Sequence, residues 1–116
     1  MKRRLAVALV LVALAAAPVA AHHGWSSYDS GKELTLTGSI KEAGYEHPHG
    51  HVRLEVPGKV WMVVLAPPTR MERRGLPATA LKVGTAATVV GYPHRSVEDE
   101  LRAERITIDG KTVELR

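Results

Sequence analysis

The sequence predicts a mainly β fold: a small five- to six-stranded OB-like Greek-key barrel with one short helix between strands 3 and 4. Two observations carry this prediction. Six segments alternate apolar and polar residues or are rich in β-branched residues, as strands with one buried face are. A segment with helix start and stop signals separates the third strand from the fourth, which is the element order of an OB-type barrel. An open β-sandwich and an SH3-like barrel are the alternatives.

The strand assignments follow the chain. Residues 33–41 alternate, and this strand extends to about residue 46, with Gly38 as a bulge or bend. Pro57-Gly58 is a turn signal, so the strands on either side of it form a hairpin. Asp109-Gly110 joins the last two strands in the same way. The remaining strands are predicted at residues 52–56, 60–65, 85–91, 101–108 and 112–115.

The helical segment follows two prolines. Thr69 and Glu72 fit a capping box, in which the two side chains bond the free backbone N–H groups at the helix start, and Gly75 ends the helix. A second helical turn is expected at residues 77–81. The expected barrel core consists of Leu34, Leu36, Ile40, Val52, Leu54, Val56, Trp61 or its neighbours, Val89, Ile106 and Ile108.

The first 21 residues have the three-part layout of a secretory signal peptide. Basic residues at positions 2–4 precede a run of Leu, Val and Ala at 5–17, and small residues end at Ala21. The apolar run is short for a membrane span, so an uncleaved anchor is the less favoured alternative. We therefore expect a periplasmic or secreted protein with no stable membrane span after cleavage. Its predicted regions are a signal peptide at 1–21, an N-terminal arm at 22–32 and a barrel domain at 33–116.

The charge balance changes once the signal peptide is removed. The chain has 16 Lys+Arg and 12 Asp+Glu, a formal net charge of +4, and three of the basic residues lie at positions 2–4. The mature chain is therefore nearly neutral and lacks the basic surface that phosphate-backbone binding needs, so nucleic acid is not an expected partner. The chain has no cysteine, which excludes disulfides, thiolate metal sites and a cysteine nucleophile.

Three histidines alternate with Pro48 and Gly50 where the first strand gives way to the second: His47, His49 and His51. If this segment is extended, its period of two places the three imidazoles on one side, opposite the core residues of the second strand. Imidazole is a common ligand of transition metals, so the segment is able to bind a metal ion. The alternative is a turn shaped by Pro48 and Gly50 that the histidines decorate.

The start of the mature chain favours copper as that metal. If His22 is the first residue, its amine and its imidazole chelate one ion, and His49 completes a nitrogen-rich set to which His23 or His51 also contributes. Such a set prefers Cu(II). Cleavage one residue earlier leaves Ala21 at the start, which also favours Cu(II) or Ni(II). A mobile arm that binds nothing tightly is the alternative.

Other side chains carry less specific signals. Trp25 and Tyr28 of the arm, together with His47, are candidate ligand contacts, but the favoured interpretation of the two aromatic residues is that they fold back and pin the arm to the barrel. Nucleophile-elbow, H-E-x-x-H, P-loop and dinucleotide motifs are missing from the sequence, so no catalytic residue is assigned. Two charged groups are interpreted as solvated surface: the carboxylates of Asp29, Glu42 and Glu46, and the helix arginines Arg70, Arg73 and Arg74.

Several short motifs together resemble a known family. They are His22-His23-Gly24-Trp25, Leu36-Thr37-Gly38, His47-Pro48-His49, Trp61, Arg73-Arg74-Gly75-Leu76, Leu81-Lys82-Val83-Gly84 and Val89-Val90-Gly91-Tyr92. Over essentially the whole mature chain, the sequence is similar to a family of small exported bacterial proteins classed as a domain of unknown function. The resemblance implies export and a compact β-barrel, and it implies no activity. The family usually has Asn where this chain has His47, so the resemblance gives that histidine no ligand role.

The sequence thus favours a non-catalytic binding or interaction module of the cell envelope, whose partner is an envelope protein or a small ligand. The alternative is a periplasmic copper-binding protein that uses the His22 amine and imidazole with His49. A copper-dependent enzyme is the least favoured of the three functions because 95 mature residues offer no convergent acid–base group.

Overall fold

A computed structural model describes residues 24–116 of the chain; the predicted signal peptide and the candidate ligands His22 and His23 lie outside the described residues. Single 3₁₀ turns occur at Trp25–Ser27 and Ala78–Ala80, the second where a helical turn was expected. The main elements are β1 (Leu34–Gly44), β2 (His51–Val56), β3 (Lys59–Val64), α1 (Pro68–Arg73), β4 (Ala86–Pro93), β5 (Glu100–Ile108) and β6 (Lys111–Glu114). The predicted class and order of elements are confirmed.

The strands form one sheet that closes on itself. Its order is β3-β2-β1-β4-β5-β6, and β3 also pairs with β5, so strands 1 to 5 form a closed barrel and β6 continues beyond it as a hairpin with β5. The β3–β5 pairing is parallel and joins Met62–Val64 to Glu100–Arg102, whereas the other pairings are antiparallel. This closed ring confirms the OB-like barrel and differs from the open sandwich alternative.

Strand β1 pairs with two neighbouring strands. Its first half pairs with β4 and its second half with β2, and Ser39 pairs with both. The register shift lies between Ile40 and Glu42, slightly later than the bulge expected at Gly38. Gly38 has a different role: a Cβ there would collide with the carbonyl oxygen of Glu55. A glycine at this position therefore lets β1 and β2 approach closely where β1 changes partner.

The core fills the inside of the barrel. Of the predicted core residues, six are buried (Ile40, Val52, Leu54, Val89, Ile106 and Ile108) and four are partly buried against them (Leu34, Leu36, Val56 and Trp61). Further side chains from the strands, the helix and the connections complete it: Val63, Leu65, Ala66, Met71, Leu76, Leu81, Ala87, Leu101, Ala103, Val113 and Leu115. Burial of each large aliphatic side chain contributes about 1.5–3 kcal/mol.

The helix starts earlier than predicted. Pro67 is the N-cap, Pro68 opens the helix and no side chain caps it, so the predicted capping box of Thr69 and Glu72 does not form. Proline suits this first position because it has no N–H group that needs a partner. The predicted exit is confirmed, because Gly75 has φ of 86° and its N–H bonds the carbonyl of Glu72. No helix within residues 24–116 is long and apolar enough to cross a membrane.

Candidate functional site

A row of paired residues crosses the outside of five strands. Gly44 of β1 pairs with His51, His51 with Val64, Val64 with Arg102, and Arg102 with Tyr92 of β4. Paired residues of neighbouring strands point the same way, and the residues next to them in β2, β3 and β5 are buried in the core, so this row points outward. We use the name outer face for this row and the adjacent one, which together contain His51, Arg53, Met62, Val64, Tyr92, Glu100 and Arg102.

The N-terminal arm packs on one side of the outer face. The Trp25 ring meets the Tyr92 ring edge-on, with centroids 6.1 Å apart. Tyr28 is buried, forms an isolated β-bridge with His94 and packs its ring edge-on against that imidazole at 5.1 Å. The aromatic side chains of the arm therefore pin it to the barrel at β4 and β5, which confirms the interpretation of Trp25 and Tyr28 favoured from the sequence.

Arg102 lies beneath this arm and is 7% exposed. Its guanidinium carbon is 4.6 Å from the centroid of the Trp25 ring and 6.0 Å from that of Tyr28. Within residues 24–116, its Nε has no hydrogen-bond acceptor and its guanidinium makes no ion pair. Burial lowers the pKa of Arg102, Tyr28 acts in the opposite direction, and the charges of Arg70 and Arg116 lower the pKa further. A buried guanidinium whose Nε lacks an acceptor is uncommon in folded proteins, so this residue marks the outer face as a candidate site.

Glu100 is close to Arg102 in β5 but bonds to the arm and to the loop after β4. Its carboxylate accepts a hydrogen bond from the Tyr28 hydroxyl at 2.7 Å and lies 3.9 Å from Nε2 of His94. Burial, followed by this bond to Glu100, raises the pKa of Tyr28. Nδ1 of His94 accepts backbone N–H bonds from Ser96 and Val97 at 3.1 and 3.0 Å, so a neutral His94 carries its proton on Nε2.

The three histidines of the β1–β2 connection do not line up as an extended segment would place them. The chain bends at His47 and Pro48, where the peptide bond is cis, and His47 is exposed while His49 and His51 are half-buried. Within the described part of the chain, no three His, Asp or Glu side chains come close enough to hold a metal ion together. Only His51 of the three belongs to the outer face. Its imidazole lies over Gly44, where a Cβ would occupy the space of the ring.

The helix arginines are not all solvated, contrary to the sequence interpretation. Arg70 donates a hydrogen bond to the carbonyl of Leu115 at 3.0 Å, and Arg74 donates to the carbonyls of Glu114 and Arg116 at 2.7 and 3.1 Å. These bonds tie α1 to the last residues of the chain. The charges of Arg70 and Arg116 also act on Arg102.

The predicted surface carboxylates have local partners. Asp29 accepts a hydrogen bond from the backbone N–H of Gly31 at 3.0 Å, and Glu42 lies 3.6 Å from the guanidinium of Arg53. Glu46 is exposed, as expected for a solvated charge.

Arg102 was not selected from the sequence. It stands between Leu101 and Ala103 in a strand, where alternation predicts an ordinary solvent-facing charge. Its burial comes from Trp25 and Tyr28, more than seventy positions earlier in the chain. The only hint in the sequence was that those two aromatic residues needed a surface to cover.

The comparisons with known proteins agree with this architecture. A family model described as "Family of unknown function (DUF6152)" matches residues 8–101. The chain belongs to this family. No curated protein sequence matches this DUF6152 member significantly.

Two solved structures share the fold of this DUF6152 chain. One is the S. pombe Stn1-Ten1 complex, with a TM-score of 0.54 and 17% identity over 66% of this chain and 57% of that one. The other is the ZRD-deleted mutant of TiaS in complex with agmatine, with a TM-score of 0.52 and 20% identity over 76% of this chain and 25% of that one. The DUF6152 chain thus spans little more than half of the first chain and a quarter of the second. At these identities the likeness shows a common fold.

Proposed function

We propose that this DUF6152 protein is a non-catalytic binding module of the cell envelope and that it binds a protein partner through the outer face. The carrying observation is the combination, on one face, of half-buried apolar side chains with a buried arginine whose Nε lacks an acceptor. Met62 and Val64 supply the apolar contact area, and Arg102 and Arg53 supply charge. Binding surfaces commonly combine an apolar centre with arginine and aromatic residues.

Two further points support the proposal. OB-type barrels typically bind their ligands on strands 2 and 3 and on the adjoining loops, and β2 and β3 contribute Arg53, Met62 and Val64 here. The similar Stn1-Ten1 structure is a complex of proteins, which favours a protein partner over a small ligand. The envelope location rests on the composition of residues 1–21, which is that of a signal peptide.

Site-specific photocrosslinking in living cells tests this function. A photoreactive amino acid at Met62 of the outer face should give one reproducible adduct that mass spectrometry identifies as an envelope protein. The matched control places the same amino acid at Thr107, which is outward-facing in β5 and whose hydroxyl bonds that of Thr112 at 2.7 Å. Equal adducts from both positions, or none from Met62, would contradict the proposal. Release of the protein by osmotic shock tests the location separately.

A further inference from the structure

Arg102 is a buried charge that forms no ion pair within residues 24–116, although Glu100 and Glu104 stand two residues before and after it in β5. Its neighbour Arg116 differs, because the guanidinium of Arg116 lies 3.7 Å from the carboxylate of Glu104. Burying a cation without an anion is unfavourable, and an anion that reaches it restores the lost interaction. The site therefore favours binding of one further negative charge beside Arg102.

The geometry around Arg102 indicates which kind of anion fits. The Trp25 ring packs against the guanidinium at 4.6 Å and Nε is buried without an acceptor, so the edge formed by the two terminal nitrogens is the one left for a ligand. A planar guanidinium edge matches the two oxygens of a carboxylate. Glu100 and Glu104 lie close by in β5 and would repel a dianionic phosphate more strongly than a singly charged carboxylate.

The surroundings of Arg102 also indicate what kind of molecule supplies the carboxylate. Val64 is directly paired with Arg102, and Met62 lies two residues earlier on the same face of β3. His51 follows on the other side of Val64, about 10 Å from Arg102 given the usual strand spacing. This apolar surface beside the charge suits a peptide whose acidic side chain reaches Arg102 while its neighbours contact β3.

We propose that Arg102 binds the carboxylate of an acidic peptide segment in a protein partner, with Trp25 holding the guanidinium in place and Val64 and Met62 contacting the segment. This inference rests on the binding function proposed above and names the chemistry of the partner. It makes Arg102 the residue that selects for acidic partners.

The test is a titration of the purified protein followed by ¹H–¹⁵N NMR of arginine Nε–H groups. The probe is a blocked tripeptide with a central glutamate. It should shift the Arg102 signal saturably, whereas the same peptide with glutamine, and sodium chloride at equal ionic strength, should not. Arg102→Lys keeps the charge but loses the planar edge, and should weaken binding about ten- to a hundredfold. In that variant, the indole N–H signal of Trp25 reports binding. Arg105→Lys is the control, because Arg105 is in the same strand and already pairs with Glu114 at 3.0 Å.

Each outcome decides the proposal. No shift with the glutamate peptide overturns it, and so does an equal shift with chloride, which means an adventitious ion only. If acetate binds and the glutamate peptide does not, the proposal that the carboxylate belongs to a peptide segment is overturned. If Arg102→Lys does not fold, the wild-type Arg102 Nε–H signal alone decides. If Met62 gives a specific adduct but the glutamate peptide does not bind, only the proposed carboxylate recognition is rejected. If the glutamate peptide binds but Met62 gives no adduct, the proposed protein-binding function is rejected.

Discussion

The Trp25 ring of the N-terminal arm lies 4.6 Å from the guanidinium carbon of Arg102 in β5. A second guanidinium, that of Arg116, lies 4.5 Å from the same ring. One aromatic side chain thus joins the arm, the fifth strand and the end of the chain. Because a cation near an aromatic face is attracted to it, these contacts help to hold the arm on the barrel.

Replacing Trp25 with alanine should therefore destabilise the whole domain. Loss of the two cation–π contacts and the edge-on contact with Tyr92 should lower the free energy of unfolding by about 2 kcal/mol. Urea denaturation followed by circular dichroism measures it. Ser26→Ala is the control, since that side chain is exposed. If Trp25→Ala lowers the free energy of unfolding no more than Ser26→Ala does, the contacts of the Trp25 ring do not stabilise the domain.

Gly91→Ala should destabilise the protein more than Gly24→Ala. A Cβ at Gly91 would collide with the carbonyl oxygen of Arg102 across β4 and β5, whereas a Cβ at Gly24 meets no atom within 4 Å. Relieving a clash with backbone requires the strands to separate, at a cost of about 1–3 kcal/mol. The melting temperature should fall by roughly 4–8 °C per kcal/mol for a domain of this size. Similar melting temperatures for the two variants would contradict this account.

Met62 of β3 and Met71 of α1 should respond differently to truncation. Met71 is fully buried in the core, so Met71→Ala should cost about 2–5 kcal/mol in the free energy of unfolding. Met62 is only half-buried on the outer face, and Met62→Ala should cost about 1 kcal/mol while weakening partner binding. Chemical denaturation and the crosslinking assay measure the two effects. A large loss of stability in Met62→Ala would mean that this residue belongs to the core.

Tyr28 should make stability fall at high pH. Its pKa is raised in the folded protein by burial and by the bond to Glu100, so the folded state retains the phenolic proton more tightly than the unfolded state. Stability from this group is complete below the unfolded pKa of about 10 and decreases as the pH rises above it. Denaturation at pH 8 and 10.5 should show a steeper loss for the wild type than for Tyr28→Phe. Identical losses would show that Tyr28 is not the titrating group.

The copper hypothesis stays a prediction and is tested separately. Protein that begins at His22 should bind one equivalent of Cu(II) by isothermal titration calorimetry, and an extra residue before His22 should weaken binding because it removes the chelating amine. His49→Ala should also weaken it. His94→Ala is the control, since Nδ1 of His94 already accepts two backbone hydrogen bonds. Equal, weak binding by both N-terminal forms would reject the copper site.

Sequence patterns predicted the barrel well because its strands alternate and its turns use glycine. The Asp109-Gly110 turn is an example: both residues have positive φ, 50° and 74°, as the predicted hairpin requires. The helix start was misplaced because Thr69 suggests a capping box, whereas Pro67 and Pro68 begin the helix without one. The local sequence is compatible with a helix start at Thr69 and with one at Pro67. The structure has the start at Pro67, and Met71 is then buried in the core.

The candidate site was less predictable. His51 was selected for its side chain and does lie on the outer face, but Arg102 was overlooked. Whether an outward-facing strand residue is solvated depends on which other segment of the chain covers it. The alternation of apolar and polar residues within β5 contains no information about the N-terminal arm, which is distant in sequence. The same is true of Leu76 and Leu81, which follow the helix and yet are buried in the core.

The parallel pairing of β3 with β5 has a consequence for how the site is assembled. It joins Met62–Val64 to Glu100–Arg102, segments nearly forty residues apart, and it is only three pairs long. Closing so long a loop for so few backbone bonds costs chain entropy. Val64 and Arg102 are paired here, so a ligand that contacts both side chains stabilises the β3–β5 pairing that closes the barrel. Occupancy should therefore slow hydrogen exchange at the amide of Met62, which bonds the carbonyl of Asp99 at 2.8 Å.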